Sequence, residues 1–440
     1  MDIARIRRGG VALAFAALTL LVCATPRADA AVKLHGAVPY SYDYDLTWSP
    51  ATRTLRGKAL LRVTNSSAKP IQSVWLRLRP NYPTELEQIS NMRGASINGR
   101  TADGSMVLVR LRGPLNPNYR ARIYFDLRLK VPKDDTSLGR SAGVDLFGDA
   151  LPVVAVAGPR GLRKGPEPSY GEGSFNAVAS WKVRLSVPRN VSAILPGDTG
   201  ISGGTKSTKV SYFSTAKVRD YAFAIGKVYT RSKRVNGVLI EVAASQQLRS
   251  QLPAALRRAA NAFTKMQGWY GGYSLSSLRV VLGDLDFGGS EYPGLVFSTP
   301  DNATIAHEVA HQWFYGLVGN DQYNDPFLDE SLTAFAEQRF HKSYRCNLAS
   351  PIDGRSHGLG TGMSYWENHP AAYEHTIYRG GACALTVLQR DLGPAVFDQA
   401  LRAYVAANAN QLAGVDDFLA AIRSAAPNYD LARWEKLVGL

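Results

Sequence analysis

His307-Glu308-Val309-Ala310-His311 is the stretch on which the reading of this 440-residue chain turns. Pro300, Asp301 and Asn302 come just before it and supply a helix start with a capping side chain, and Ala303 to Phe314 runs on without Gly or Pro. The spacing predicts a helix over 302–316. Residues four apart share one face of a helix, so His307 and His311 can aim ring nitrogens at one ion while Glu308 stands one residue round. Two imidazoles suit Zn²⁺, and the neighbouring carboxylate can take a proton from water. Pro326 opens a second predicted helix over 326–341, which carries Glu330 with eighteen residues between it and His311. Two helices joined by a turn bring that carboxylate onto the same ion, giving a His₂Glu set with one position open. Glu337, about two helical turns beyond Glu330, is placed to accept a hydrogen bond from a ligand histidine. One histidine alone would be a satisfied surface residue. A closed structural zinc site would be richer in Cys.

With these residues in hand, the chain resembles the aminopeptidase N family of gluzincins, whose zinc signature is His-Glu-x-x-His, eighteen residues, then Glu. Two further stretches are similar to that family. Gly288-Gly289-Ser290-Glu291-Tyr292 resembles its Gly-x-Met-Glu-Asn motif, and the resemblance implies that Glu291, on a turn made by Gly288 and Gly289, binds the α-ammonium group of a peptide. Tyr378-Arg379-Gly380-Gly381-Ala382 resembles its Tyr-x-Lys-Gly-Ala segment, which implies that Tyr378 donates a hydrogen bond to the oxyanion. The resemblance further implies one Zn²⁺ per chain held by His307, His311 and Glu330, with Glu308 as the general base. The expected fold is α+β and multidomain, an antiparallel β-saddle or sandwich followed by a thermolysin-like catalytic domain. This sequence departs from the family pattern at Ser290, Tyr292 and Gly380, and two motif intervals are shorter than usual. Longer relatives add a helical C-terminal domain that covers the site, which this chain is expected to lack.

Outward from the motifs, the expected division is a signal peptide at 1–30, a β domain at 31–230 and a catalytic domain at 231–440. Arg5, Arg7 and Arg8, the apolar run from Val11 to Ala24 and Ala28-Asp29-Ala30 form a secretory leader too short to span a bilayer. The mature protein is therefore expected outside the cytoplasm, in the periplasm, the wall or the medium. Short branched and aromatic runs at 59–64, 74–78, 121–127, 181–187 and 221–225 predict strands, and Gly158–Gly173 predicts a long loop. Beyond 230, helical spacing appears at 248–266, 380–391, 396–407 and 415–424, around a strand at 278–282.

The chain is 45% hydrophobic and 20% charged with three Cys, which excludes a disordered chain and a disulfide-knit miniprotein. Its formal charge is +15, but residues 31–230 hold 29 basic and 14 acidic side chains against 18 and 20 in residues 231–440. The basic half serves solubility or attraction to an anionic envelope, and no basic-aromatic motif points to nucleic acid. Cys346 and Cys383 are either a bridge or two buried thiols. Glu167 and Glu172 lie in the long loop, and His341, His357, His369 and His375 read as surface or packing residues. Trp313-Phe314 and Trp269-Tyr270 read as core. The expected activity is N-terminal peptide hydrolysis. Two alternatives are an endopeptidase with an open cleft and a non-catalytic envelope-binding protein with a vestigial zinc site.

Overall fold

Alternation is what builds the first half of the chain. In a computed structural model describing residues 32–81, 83–202, 209–344, 346 and 357–440, the leader read over 1–30 lies outside the described residues. Among them, β1 (Ala37–Ser49), β2 (Thr54–Asn65), β3 (Ile71–Arg77), β4 (Glu87–Arg93), β5 (Ala95–Arg100), β6 (Met106–Leu115) and β7 (Arg120–Lys130) follow one another. Next come β8 (Leu138–Ser141), β9 (Val144–Phe147), β10 (Val153–Val154), β11 (Ala179–Pro188), β12 (Ser192–Ile194), β13 (Asp198–Ser202), β14 (Lys209–Val218) and β15 (Phe223–Gly226). In β11, Trp181, Val183, Leu185 and Val187 are buried while Ser180, Lys182 and Arg184 face out, the period of two that lets one face of a sheet meet a core.

A seven-stranded sheet runs β13-β14-β11-β1-β2-β7-β4, antiparallel except for the parallel β1–β11 pair. It shares one core with the four-stranded sheet β10-β3-β6-β5, where Trp48, Leu61, Val74 and Leu76 meet Trp181 and Tyr221. A third sheet, β12-β15-β9-β8, puts Val144, Leu146, Ala222 and Ala224 into a separate cluster with Val281, Leu295 and Phe297 from further along the chain.

Those last residues belong to a five-stranded sheet made of β16 (Val228–Val235), β17 (Val238–Ser245), β18 (Ser277–Leu282), β19 (Gly289–Ser290) and β20 (Leu295–Ser298), in the order β16-β17-β18-β20-β19. Around it pack α1 (Leu252–Tyr270), α2 (Asn302–Ala310), α3 (Glu330–His341), α4 (Met363–Trp366), α5 (Pro370–Tyr373), α6 (Gly381–Leu392), α7 (Pro394–Asn408), α8 (Val415–Ala425) and α9 (Leu431–Val438). Their apolar stripes share one core, from Ile240 and Phe263 through Trp313 and Phe335 to Phe418 and Trp434. The expected α+β class is observed.

The sequence reading needs two corrections, both to helix bounds. The helix expected over 302–316 stops at Ala310, and the chain turns through 311–317 into a two-residue strand, Val318–Gly319, paired parallel with Gln411–Leu412. The helix expected over 326–341 is a 3₁₀ turn, Pro326–Leu328, followed by α3. Cys346 and Cys383 form a disulfide, which fastens the chain after α3 to α6.

Candidate active site

Asp301 caps α2 by accepting from the Thr304 backbone N–H at 2.9 Å, and the helix carries His307 and Glu308 into its last turn. His311 is the first residue past the helix but keeps helical dihedrals, so the four-residue spacing survives. Glu330 opens α3. The Nε2 atoms of His307 and His311 lie 3.1 Å apart, with Glu330 Oε2 at 3.2 Å from the first and 3.6 Å from the second.

The outer nitrogens are engaged by acceptors. His307 Nδ1 lies 3.1 Å from Glu337 Oε2. His311 Nδ1 lies 2.9 Å from Asp329 Oδ1, with the Phe314 carbonyl and the Thr333 hydroxyl each at 3.1 Å. Nδ1–H donation to these groups leaves each Nε2 with a lone pair. Two imidazole lone pairs and a carboxylate facing one another at these distances form a donor set that demands positive charge, and its composition fits Zn²⁺. The titration pattern agrees. Burial works against charge on His307, yet its bonds to Glu330 and Glu337 raise its pKa to about 10. Burial also opposes charge on Glu330, yet the two histidines hold its pKa far below the usual carboxylate value.

Glu308 is buried beside this trio, and its Oε2 has no hydrogen-bond partner. Burial pushes its carboxyl up to about 8, against the pull of the two histidines. A carboxyl with a free oxygen and a raised pKa is suited to accept and return a proton. Gly289 in β19 runs past it so closely that a Cβ there would sit 2.4 Å from Glu308 Oε1. Gly288, with φ +89, makes the turn into that strand.

Tyr378 lies in a π-helical turn, Glu374–Gly380, just before α6. The wider turn lays its ring parallel to His307, with centroids 5.8 Å apart. Burial and the neighbouring Glu330 push its hydroxyl pKa well up, so the phenol keeps its proton. Gly381 lets α6 approach α3, because a Cβ there would meet Ser331 Oγ at 2.0 Å.

The structure brings together one pair that the sequence left apart. Glu172 is beside Glu291, and both carboxylates meet the side-chain amide of Gln322. Glu291 also has a carboxylate oxygen within 4.8 Å of a His311 ring nitrogen. Glu167, the other loop acid, pairs instead with Arg77, Arg79 and Arg163. Arg79 further binds Asp149, whose φ of +51 aims it into the cleft and whose Oδ2 accepts from the Tyr292 hydroxyl at 3.0 Å.

No sequence signal marked Arg219, a fully buried guanidinium. It donates to four backbone carbonyls, those of Tyr315 at 2.6 Å, Asn176 at 3.1 Å, Leu317 at 3.2 Å and Gln411 at 3.0 Å. Burial lowers its pKa to about 10. The clamp holds the turn after His311, in which Tyr315 has the strained φ of +130. Gly319 makes room for it, since a Cβ there would lie 2.1 Å from the guanidinium.

His307, Glu308, Glu330, Tyr378, Glu172 and Glu291 line a cleft of about 830 Å³, within the range of ligand sites. Among the described residues, eight carboxylates and a single guanidinium, Arg79, face it. His341, His357, His369 and His375 are not among its lining residues. Trp313, Phe314 and Tyr270 are core, and Trp269 packs against that core under the Arg339 guanidinium. A second hollow of about 780 Å³ lies on the seven-stranded sheet, lined by Asp43, Lys58, Tyr124 and Arg184 among others. Among the described residues it contains no metal-ligating set.

Comparison with known proteins points the same way. Residues 298–434 match the Peptidase family M1 domain. Over 428 residues the chain is 22% identical to aminopeptidase A of Gloydius brevicauda, covering 86% of this chain and 44% of that protein. Over 160 residues it is 31% identical to aminopeptidase B of Homo sapiens, covering 30% of this chain and 25% of that one. The chain thus spans less than half the length of the curated relatives it matches. An M1 zinc metallopeptidase mutant from Deinococcus radiodurans has the same fold, with a TM-score of 0.70 at 20% identity over 92% of this chain and 95% of that one. The resemblance to the aminopeptidase N family is borne out.

Proposed function

With residues 298–434 as a peptidase family M1 domain for premise, we propose that the protein is a secreted zinc aminopeptidase that hydrolyses the first peptide bond of peptides with a free N-terminus. The observation that carries this reading is the Glu172–Glu291 carboxylate pair set beside the His₂Glu trio. Burial and the neighbouring Glu291 push the Glu172 carboxyl up, so the pair ionises fully only beside a cation such as a substrate ammonium, and it fixes that group's distance from the ion so that the first peptide bond falls at the site of chemistry.

His307, His311 and Glu330 hold Zn²⁺, which when bound supplies a Lewis acid for the scissile carbonyl and lowers the pKa of water. Glu308 takes the proton of the attacking water and passes it to the leaving amine. Tyr378, kept protonated, donates to the oxygen that gains charge. Glu337 orients His307. Glu172 and Glu291 bind the α-ammonium group, and Gly288 and Gly289 let the Glu291 strand approach Glu308.

Export rests on the basic, apolar and small-residue segments of 1–30, and N-terminal sequencing of cell-derived protein tests it by finding Ala31 first. The basic excess of residues 31–230 supports contact with an anionic envelope, which salt-sensitive binding to anionic vesicles would reveal.

The activity test compares free-amino aminoacyl fluorogenic amides with an N-acetylated internally quenched peptide, with Glu308→Ala as control. Cleavage of the free-amino substrates alone, lost in Glu308→Ala, is the expected result. Cleavage of the blocked peptide would give the endopeptidase reading. Silence on both with zinc bound would leave the binding-protein reading.

A further inference from the structure

Gln322 belongs to none of the motifs, yet it is 1% exposed, buried behind the cleft-lining Glu172 and Glu291 on the turn between Gly319 and Pro326. Backbone atoms fix its orientation. The Ser174 N–H donates to Gln322 Oε1 at 3.0 Å, and the Gln322 N–H donates back to the Ser174 carbonyl at 3.2 Å. A backbone N–H can only donate, so the carboxamide oxygen must face Ser174 and the NH₂ must point the other way. There it meets Asp329 Oδ2 at 2.5 Å, Glu172 Oε2 at 2.6 Å and Glu291 Oε1 at 3.2 Å.

Two N–H groups therefore serve three carboxylates. Resting on the aminopeptidase reading above, we propose that Gln322 is the positioning residue of the α-ammonium site: its carboxamide holds Glu172 and Glu291 side by side and leaves them an acceptor to spare for a substrate amine. The residue type fits this task. Like-charged carboxylates in contact repel, and a neutral donor between them satisfies lone pairs without cancelling the charge that attracts the substrate. A Lys or Arg in its place would neutralise the pair and fill the position of the ammonium. An apolar side chain would leave buried carboxylate oxygens without a donor. Ser174 lies two residues from Glu172, so the same amide also pins the loop that delivers Glu172.

The test uses the full-length, zinc-loaded protein with Gln322→Met, which keeps length and removes the donor, and Gln322→Glu, which keeps the acceptor for Ser174 and adds a carboxyl. Steady-state kinetics are measured on the best free-amino aminoacyl amide, with zinc content and thermal midpoint recorded for each protein. The expected outcome is a KM raised about 10- to 100-fold in both variants, as for loss of a hydrogen bond to a charged group. The kcat should stay within about threefold of wild type, because no group acting on the scissile bond is altered. If Gln322→Met fails to fold, Gln322→Glu carries the measurement. An unchanged KM, or a fall in kcat alone, overturns the assignment of Gln322 while leaving the aminopeptidase reading in place. Equal cleavage of free and N-acetylated substrates by the wild type overturns both.

Discussion

Glu337 offers a direct measure of how much the second helix contributes to the metal centre. Its Oε2 lies 3.1 Å from His307 Nδ1, and the two side chains are 25% and 12% exposed. Donation from Nδ1–H fixes the tautomer that presents Nε2 to Glu330 and His311. A charge-assisted bond of this kind contributes about 1.5–3 kcal/mol when well buried, and the exposure of Glu337 places it toward the lower end. Glu337→Ala, which removes the bond, should cost about 2 kcal/mol of zinc affinity, a roughly 30-fold rise in Kd. Glu337→Gln keeps an acceptor of about half the strength and should cost about 1 kcal/mol, or roughly fivefold. Competition with a chromophoric chelator of known affinity reads both values. At saturating zinc, both variants should recover most of the wild-type kcat. Zinc affinity unchanged in Glu337→Ala would refute the claim that this carboxylate orients His307. A Gln variant as weak as the Ala variant would refute the charge-based part of it.

Gly289→Ala should push the Glu308 carboxyl aside, because its Cβ would fall 2.4 Å from Oε1; we expect kcat to drop about 100-fold with zinc binding unaffected, as read by kinetics and metal titration. Glu87 is buried in β4 with neither carboxylate oxygen bonded, and burial holds its pKa well above 4.5 in the folded protein. A raised folded pKa gives stability that is present below the unfolded value and lost as pH rises through the folded one. Glu87→Met should therefore stabilise the protein at pH 7 by about 1–3 kcal/mol, and the advantage should shrink toward pH 4; equal denaturant midpoints at both pH values would contradict this. Breaking the Cys346–Cys383 bridge by Cys346→Ser with Cys383→Ser opens a loop of 37 residues, and should cost up to about 4 kcal/mol in denaturant unfolding with little change in KM.

The candidate metal-binding trio was legible in the sequence because its geometry is local. Two helices with fixed spacing put His307, His311 and Glu330 together, and the spacing is written in the chain. The strands around β2, β7 and β11 were equally readable, since their alternation reports burial on one face. The end of α2 was not. Nothing from Ala303 to Phe314 breaks a helix, and the turn at 311–317 is held by Arg219, 96 residues before Tyr315 in the chain. Gln322 escaped for the same reason, and Glu172, singled out beside Glu167 in the loop, could not be assigned its partner. Their bond joins residues 150 apart, and each alone is an ordinary polar residue in a loop. The π turn at Tyr378 is a local feature, but its residues carry no composition that separates it from an α-helix.

Arg219 also bears on the order in which this protein becomes competent. Its four carbonyl partners come from three stretches of chain, the last of them 192 residues downstream. Contacts so distant in sequence form late, because the loops between them must close first. The turn that carries His311 away from α2 is therefore completed only when the segments around residues 176, 219, 315 and 411 have met. A chain that has already made α2 and α3 still lacks the last of these contacts, at Gln411. Helices α2 and α3 accordingly do not constitute a transplantable cassette, and grafting them elsewhere would have to carry Arg219, Gly319 and the strand at Gln411 along with them.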